Sequence, residues 1–386
     1  MLYALIHEAL EVRLFGYISF RVVMAAMTSF LAALLVGGPA IRWLKSHRVR
    51  EQAGKTDSAE LAKMAEATGK VNTPTMGGSF LVAALLFSVV LWARLDNLHV
   101  VLGIILIAGL AAVGFVDDYK KLTIPGCKGM SSRAKMLGLS VTTLGVLAAL
   151  VWYSTRSGRY SALSLFPPFF KNVEIPLASW PSELPIVGWC LFCGFQWFVV
   201  VGSANATNIT DGMDGLAAGC TIISTLALTV FCYVSGRPDW TAYLNLPFVS
   251  QASEMAVVGG AISGACLGFL WYNAYPAQVF MGDSGSLPLG GAMAWMAVVS
   301  KQELVLPLIA CVFVVDLGSS WLQTFWYRRS GGTRLFTLAP IHHGLERFGG
   351  VFTRREAGWH EVQVVVRFWI LASIGAMASL ALLKVR

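Results

Sequence analysis

Three observations predict an all-α polytopic integral membrane protein with about ten transmembrane helices. The 386-residue chain is 56% hydrophobic and only 13% charged, about half the charged fraction of an ordinary soluble domain. Its mean hydropathy is +0.65. Apolar stretches of about 20 residues, the length a helix needs to cross a bilayer, recur from end to end. Thirteen tryptophans are in keeping with interfacial anchoring of such helices.

In chain order the expected spans are 20–41, 77–94, 98–116, 135–154, 188–206, 215–235, 254–272, 286–300, 304–327 and 363–384. Several are rich in Gly and Ala, which lets helices pack closely in lipid. The span at 286–300 is short. The first run is long enough to cross the bilayer and lacks a small-x-small cleavage site, so a cleavable signal peptide is not expected. Residues 48–70, polar and rich in Ala, Glu and Lys, suggest a short helix or loop. Residues 155–187 carry Pro167-Pro168, Pro176, Pro181 and Pro185, and with the β-rich stretch Lys171–Leu177 they suggest an irregular cap or hairpin. There is no fixed-period repeat, and the whole of 1–386 reads as one transmembrane domain.

Alternating the spans places loops 42–76, 117–134, 207–214, 273–285 and 328–362 on one side. Of the 29 Lys and Arg residues, 18 lie in or beside the first, second and last of these loops. The positive-inside bias makes that side cytoplasmic and puts both termini and the 155–187 segment in the periplasm. The net charge of +8 is spread over loops rather than gathered into a basic domain, so nucleic acid is not an expected partner. The seven cysteines are scattered. Cys190-x-x-Cys193 has no second ligand pair and reads as small apolar residues of a span.

All four polar clusters of the chain fall on the cytoplasmic side. Ionisable groups at the ends of apolar spans are costly and mark candidate sites. Asp117-Asp118, followed by Lys120-Lys121, is either a solvated helix end or a pair of hard oxygen ligands for a cation such as Mg²⁺. Asp283, in the glycine-flanked turn Gly282-Asp-Ser-Gly285, is either a turn aspartate or a third oxygen for a metal or phosphate site, with Phe280 nearby for stacking. Asn205–Gly215 concentrates Asn, Thr and Asp with turn-forming glycines. On a helical turn Asn208, Asp211 and Asp214 would share one face, suited to the edges of a sugar or base. Thr73–Gly78 offers hydroxyls and backbone amides to a phosphate or sugar, with Lys70 close by. His342-His343 is poorly spaced for chelation and better suited to phosphate. Asp316 and Gln323, seven apart on the ninth span, lie on one helical stripe; Gln323 is placed to reach the pocket, while Asp316, deeper, suits helix packing at least as well.

These segments, in order, resemble the phospho-N-acetylmuramoyl-pentapeptide transferase family, within the polyprenyl-phosphate N-acetylhexosamine-1-phosphate transferases. The resemblance rests on Thr-Pro-Thr-Met-Gly-Gly (73–78), Asp-Asp-Tyr-Lys-Lys (117–121), Asn-Ile-Thr-Asp-Gly-Met-Asp-Gly-Leu-Ala (208–217), Phe-Met-Gly-Asp-Ser-Gly-Ser-Leu (280–287), Ala-Pro-Ile-His-His (339–343) and the tail motifs Val-Arg-Phe-Trp (366–369) and Leu-Lys-Val-Arg (383–386). It implies a ten-span enzyme of the bacterial inner membrane that, with Mg²⁺, joins UDP-MurNAc-pentapeptide and undecaprenyl phosphate to give lipid I and UMP. A homodimer is a further expectation of the resemblance. By resemblance Asp117, Asp118 and Asp283 are catalytic, with Asp283 as the Mg²⁺ ligand and Asp117 and Asp118 as further candidates. Lys70, Thr75, Lys121, Asn208, Asp211, Asp214, Asn273, Phe280, Gln323, His342 and His343 are the expected substrate-binding positions. The family's usual third consecutive histidine is Gly344 here, and the loop 344–361 is longer.

The residues suit phosphoryl transfer between a nucleotide-sugar and a lipid phosphate. Lys120, Lys121, Arg133 and Lys135 are placed to draw in the anionic lipid head. Direct attack by the lipid phosphate and a two-step route through an aspartyl intermediate both fit. So does a related transferase using another UDP-N-acetylhexosamine. A transporter would line a pathway at the membrane midplane, whereas these clusters collect at one face and no inverted repeat is evident.

Overall fold

The computed structural model describes residues 2–3, 13–46, 73–124, 127, 129–158, 163–168, 170, 173–177, 185–355 and 357–384. The segment 48–70, with Lys70, lies outside them. The ten expected spans coincide with ten helices of 15 to 29 residues. They are α1 Ile18–Ser46, α2 Gly78–Trp92, α3 Leu98–Thr123, α4 Ser132–Arg156, α5 Pro185–Thr210, α6 Leu216–Ser235, α7 Met255–Asn273, α8 Asp283–Ser300, α9 Cys311–Arg329 and α10 Glu361–Ala381. Seven of the ten (all but α2, α8 and α9) are long and apolar enough to cross a membrane. Among the described residues there is no strand, only an antiparallel bridge in which Leu165 and Ile175 exchange two 2.9 Å hydrogen bonds. The proline-rich 155–187 segment is thus hairpin-like where it is described.

The short span proves to be the centre of the bundle. Every one of the 18 residues of α8 is buried, packed against α2, α3, α5 and α6. A helix that is apolar on all sides belongs inside a protein. Flanked by protein rather than lipid, it need not match the bilayer in length. Trp295, the largest fully buried side chain among the described residues, donates from its indole N–H to His99 O at 2.9 Å, which anchors α8 to α3.

Helix α7 shows why the glycines recur. Gly260, Gly264 and Gly268 repeat every four residues along one stripe. A Cβ at these positions would collide with the α1 carbonyls of Val22, Ala26 and Phe30 respectively. The two backbones touch where side chains would otherwise hold them apart, which is the small-residue packing expected in lipid.

At the end of the bundle away from Asp283, Arg21 forks onto Glu254 at 2.7 and 2.6 Å, with both side chains buried. Arg21 also donates to Trp92 O at 3.3 Å. This clamp joins α1, α2 and the start of α7, and no sequence motif announced it.

Candidate active site

Glycines draw the ends of three helices together around the first residue of α8. A Cβ on Gly114 of α3 would collide with the Asp283 carbonyl, and one on Gly78 of α2 with the Gly285 backbone. The 73–78 segment runs alongside residues 280–281. Gly77 N donates to Phe280 O, Gly78 N to Met281 O and Phe280 N to Pro74 O, each at 2.8 Å. Gly282 adopts φ +73°, a conformation glycine takes without steric cost. A Cβ there would lie 2.6 Å from Asp118 Oδ2 and 3.1 Å from Thr75 Oγ1. Thr75 therefore stands beside the turn that presents Asp283.

Asp117, Asp118 and Asp283 are all buried, and each offers an oxygen within 4.8 Å of the others. Their surroundings differ. Asp118 accepts from the Asp283 and Ser284 backbone N–H groups at 3.3 and 2.9 Å, satisfying amides that the start of a helix leaves open. Asp117 accepts from Met130 N at 2.6 Å, where the loop after α3 folds back, and pairs with Lys121 Nζ at 2.6 Å. Asp283 Oδ2 lies 3.1 Å from Lys121 Nζ and 2.8 Å from Lys135 Nζ. Its Oδ1 accepts from Asn208 Nδ2 at 2.6 Å. Three carboxylates thus face two ammonium groups in a space closed to most solvent. The set has the hard oxygen donors that a divalent cation takes, so the buried aspartate cluster is able to bind a metal.

Asn208 also donates to Ser286 Oγ at 2.9 Å, so it is fixed by α8. Four residues on, Gly212 faces the histidines. A Cβ there would lie 2.6 Å from His342 Nε2 and 3.0 Å from His343 Nε2. The Asn208–Gly215 turn therefore touches the aspartate cluster with one end and the histidine pair with the other. His342 and His343 lie on the short helix Ile341–Phe348. His343 Nδ1 is 3.3 Å from Glu346 Oε2. Burial pushes the His343 imidazole below its ordinary value, and His342 pushes it the same way against an opposing contribution from Glu346.

The expected shared face of Asn208, Asp211 and Asp214 does not form, because α5 ends at Thr210 and the chain turns before α6. Asp214 Oδ2 accepts from Ala277 N at 3.0 Å. Asn273 is committed to the backbone, accepting from Gly215 N at 3.0 Å and donating to Val279 O at 2.9 Å. Asp214 and Asn273 thereby lock the 208–215 turn to the 273–281 segment. Asp211 lies at the start of that turn, half-buried, and Phe280 is half-buried beside Pro74. Gln323 Oε1 accepts from Leu335 N and Phe336 N at 3.1 and 2.9 Å, shaping the chain after α9. Asp316, the deeper residue of that stripe, instead meets His342 Nδ1 at 2.8 Å.

Sequence reasoning gave Lys135 only a steering role, whereas it contacts Asp283 directly. It passed over Glu361, whose Oε1 accepts from Asp214 N at 2.8 Å, and Ser286. Only Glu361 carried a readable signal, as an acid in the first turn of a helix.

The chain is similar over its full length to proteins of known kind. A family model described as glycosyl transferase family 4 matches residues 98–301. A phospho-N-acetylmuramoyl-pentapeptide-transferase of Thermodesulfovibrio yellowstonii is 39% identical, covering 100% of this chain and 99% of its own. One from Oleidesulfovibrio alaskensis is 38% identical with the same coverage. One from Neisseria gonorrhoeae is 40% identical, covering 97% of this chain and 96% of its own.

Proposed function

Because the chain belongs to the phospho-N-acetylmuramoyl-pentapeptide-transferase family, we infer that it transfers phospho-MurNAc-pentapeptide from UDP-MurNAc-pentapeptide to undecaprenyl phosphate. The products are lipid I and UMP. It is a multi-pass protein of the bacterial inner membrane. The observation that carries the reading within this chain is the meeting of Asp117, Asp118 and Asp283 with Lys121, Lys135 and Asn208 in one buried cluster.

The proposed cofactor is Mg²⁺, with Asp283 as the main ligand and Asp117 and Asp118 as further oxygen donors. Bound there, it would supply neutralisation of the charge that builds up on the diphosphate oxygens. The chain's own residues position the reactants. Lys121 and Lys135 hold Asp283 in place and present positive charge to an incoming phosphate. Asn208 fixes the other oxygen of Asp283. The turn from Asn208 to Gly215, braced by Asp214 and Asn273, offers its edge to the uridine-bearing donor, with Phe280, His342 and His343 around it.

The proposed step is in-line attack by an oxygen of the lipid phosphate on the sugar-bearing phosphorus. A new P–O bond forms as the bridging P–O bond breaks, and UMP leaves with its electron pair. Asp118 accepts with both oxygens from backbone N–H groups at the start of α8, which fixes it while leaving each oxygen a lone pair for a cation, whereas Asp117 Oδ2 is held by the Lys121 side chain. That favours Asp117, at the loop side of the cluster, as the carboxylate that orients the lipid phosphate. It also favours direct attack over an aspartyl intermediate, and a trapped phospho-enzyme would overturn this choice. The basic loops support a site facing the cytoplasm, with both termini outside.

Purified protein incubated with UDP-MurNAc-pentapeptide, undecaprenyl phosphate and Mg²⁺ tests the reading through release of UMP. Equal release from UDP-GlcNAc would instead favour a UDP-hexosamine transferase of broader specificity.

A further inference from the structure

We propose that Asp316 is a positioning residue that sets the orientation and proton location of His342. Asp316 lies on the inward face of α9 and His342 on the short helix beyond it, and both side chains are 0% exposed. Their 2.8 Å contact joins Asp316 Oδ2 to His342 Nδ1. Among the described residues, Asp316 Oδ1 and His342 Nε2 are buried with no hydrogen-bond partner. A carboxylate inside an apolar bundle is costly to keep. A packing clasp would be expected to satisfy all its polar atoms, whereas this pair leaves one at each end open.

The open end of the histidine points somewhere specific. With Nδ1 held by the carboxylate, Nε2 turns toward Gly212, in the turn whose Asn208 binds Asp283. Gly212 is itself exposed, and its lack of a Cβ is what lets the ring nitrogen come this close to its backbone. His343 Nε2 converges on the same place. A carboxylate on Nδ1 fixes the tautomer, so the neutral ring presents a lone pair at Nε2 and the protonated ring presents an N–H. His342 therefore presents one defined atom to the 208–215 turn, whose exposed face would meet a phosphate or sugar, and Asp316 sets which tautomer it takes. The other titratable groups around the pair are His343 and Glu346 on the same short helix, Cys220 on α6, Cys311 at the start of α9, and Asp211 beside Gly212.

The inference rests on the transferase reading, and full-length protein separates the two. Failure of the wild type to release UMP overturns the reading. With an active wild type, Asp316→Asn, Asp316→Glu and His342→Gln are compared for kcat and KM. Asp316→Asn is expected to lower kcat about 10–100-fold with KM little changed, because the amide no longer fixes the His342 tautomer. Asp316→Glu, which keeps the carboxylate, is expected to restore part of kcat. In a His342→Gln background, Asp316→Asn is expected to cause no further loss. The inference is overturned by an unchanged kcat in Asp316→Asn, by a change in KM alone, or by an equal added loss in the His342→Gln background. Failure of both Asp316 variants to fold would make the pair a packing clasp and overturn it as well.

Discussion

The ammonium of Lys135 lies 2.8 Å from the carboxylate of Asp283, 148 residues further along the chain. Lys135 sits in the first turn of α4 and Asp283 is the first residue of α8. Their contact, with Lys121 completing the group, brings two helix N-termini to one point. Positive charge is thereby held beside the aspartates in a largely closed space, where an incoming phosphate is met by preorganised groups rather than by mobile water.

Lys135→Met should therefore lower kcat by about 10–100-fold while the protein stays folded, since a preorganised charge in a dry site is worth a few kcal/mol. Lys135→Arg should keep part of the activity. Steady-state release of UMP measures both, and wild-type turnover in Lys135→Met would remove the lysine from the site.

Asp283→Asn keeps the shape of the side chain but removes the charge that Lys121, Lys135 and the proposed Mg²⁺ share. Turnover should fall by about 100-fold or more, with a higher Mg²⁺ concentration needed for half-maximal rate. Full turnover at the wild-type Mg²⁺ requirement would refute the metal assignment.

Gly344→His would recreate the family's usual third histidine, but the structure predicts no gain. A Cβ at 344 would lie 2.9 Å from Thr337 Oγ1 and 3.1 Å from Leu338 O, so the side chain would press into the 337–338 backbone. Overpacking of this kind costs about 1–3 kcal/mol. A lower thermal midpoint without increased activity is expected, and a more active variant of unchanged midpoint would contradict it.

His343 is pushed by burial, and by His342, below the ordinary histidine value of about 6.5. The folded state thus resists protonating it. Its stabilising contribution is present above that value and is lost as pH falls, because the unfolded chain takes up the proton more readily. The thermal midpoint of His343→Gln should drop less than wild type between about pH 7 and pH 5. Parallel drops would show that His343 does not set the acid sensitivity.

Gly264→Leu should disrupt the seam between α7 and α1, because a side chain there meets the Ala26 carbonyl and Ser29. Loss of folded, monodisperse protein in detergent is the expected outcome. The same change at Gly194, which has open space around it, should be tolerated and serves as the control.

Much of this protein was legible in its sequence. Whether a segment partitions into lipid depends on its own residues, so ten apolar runs located ten helices, and the polar breaks between them named Asp117, Asp118, Asn208, Asp283 and the histidines. What a linear pattern does not contain is the distance between residues far apart in the chain. Helix packing alone decided that the short 286–300 run is the buried core of the bundle, that Lys135 reaches Asp283 and Glu361 reaches Asp214 N, and that Asn273 places both amide atoms, and Gln323 its carbonyl oxygen, on loop backbone. It also turned the Gln323 carbonyl oxygen to the loop after α9 and Asp316 to His342. Hydropathy fixes where each segment lies relative to water. Which side chains then meet is set by the close approach of backbones at glycines such as Gly78, Gly114 and Gly264, a property of pairs of helices rather than of any one of them.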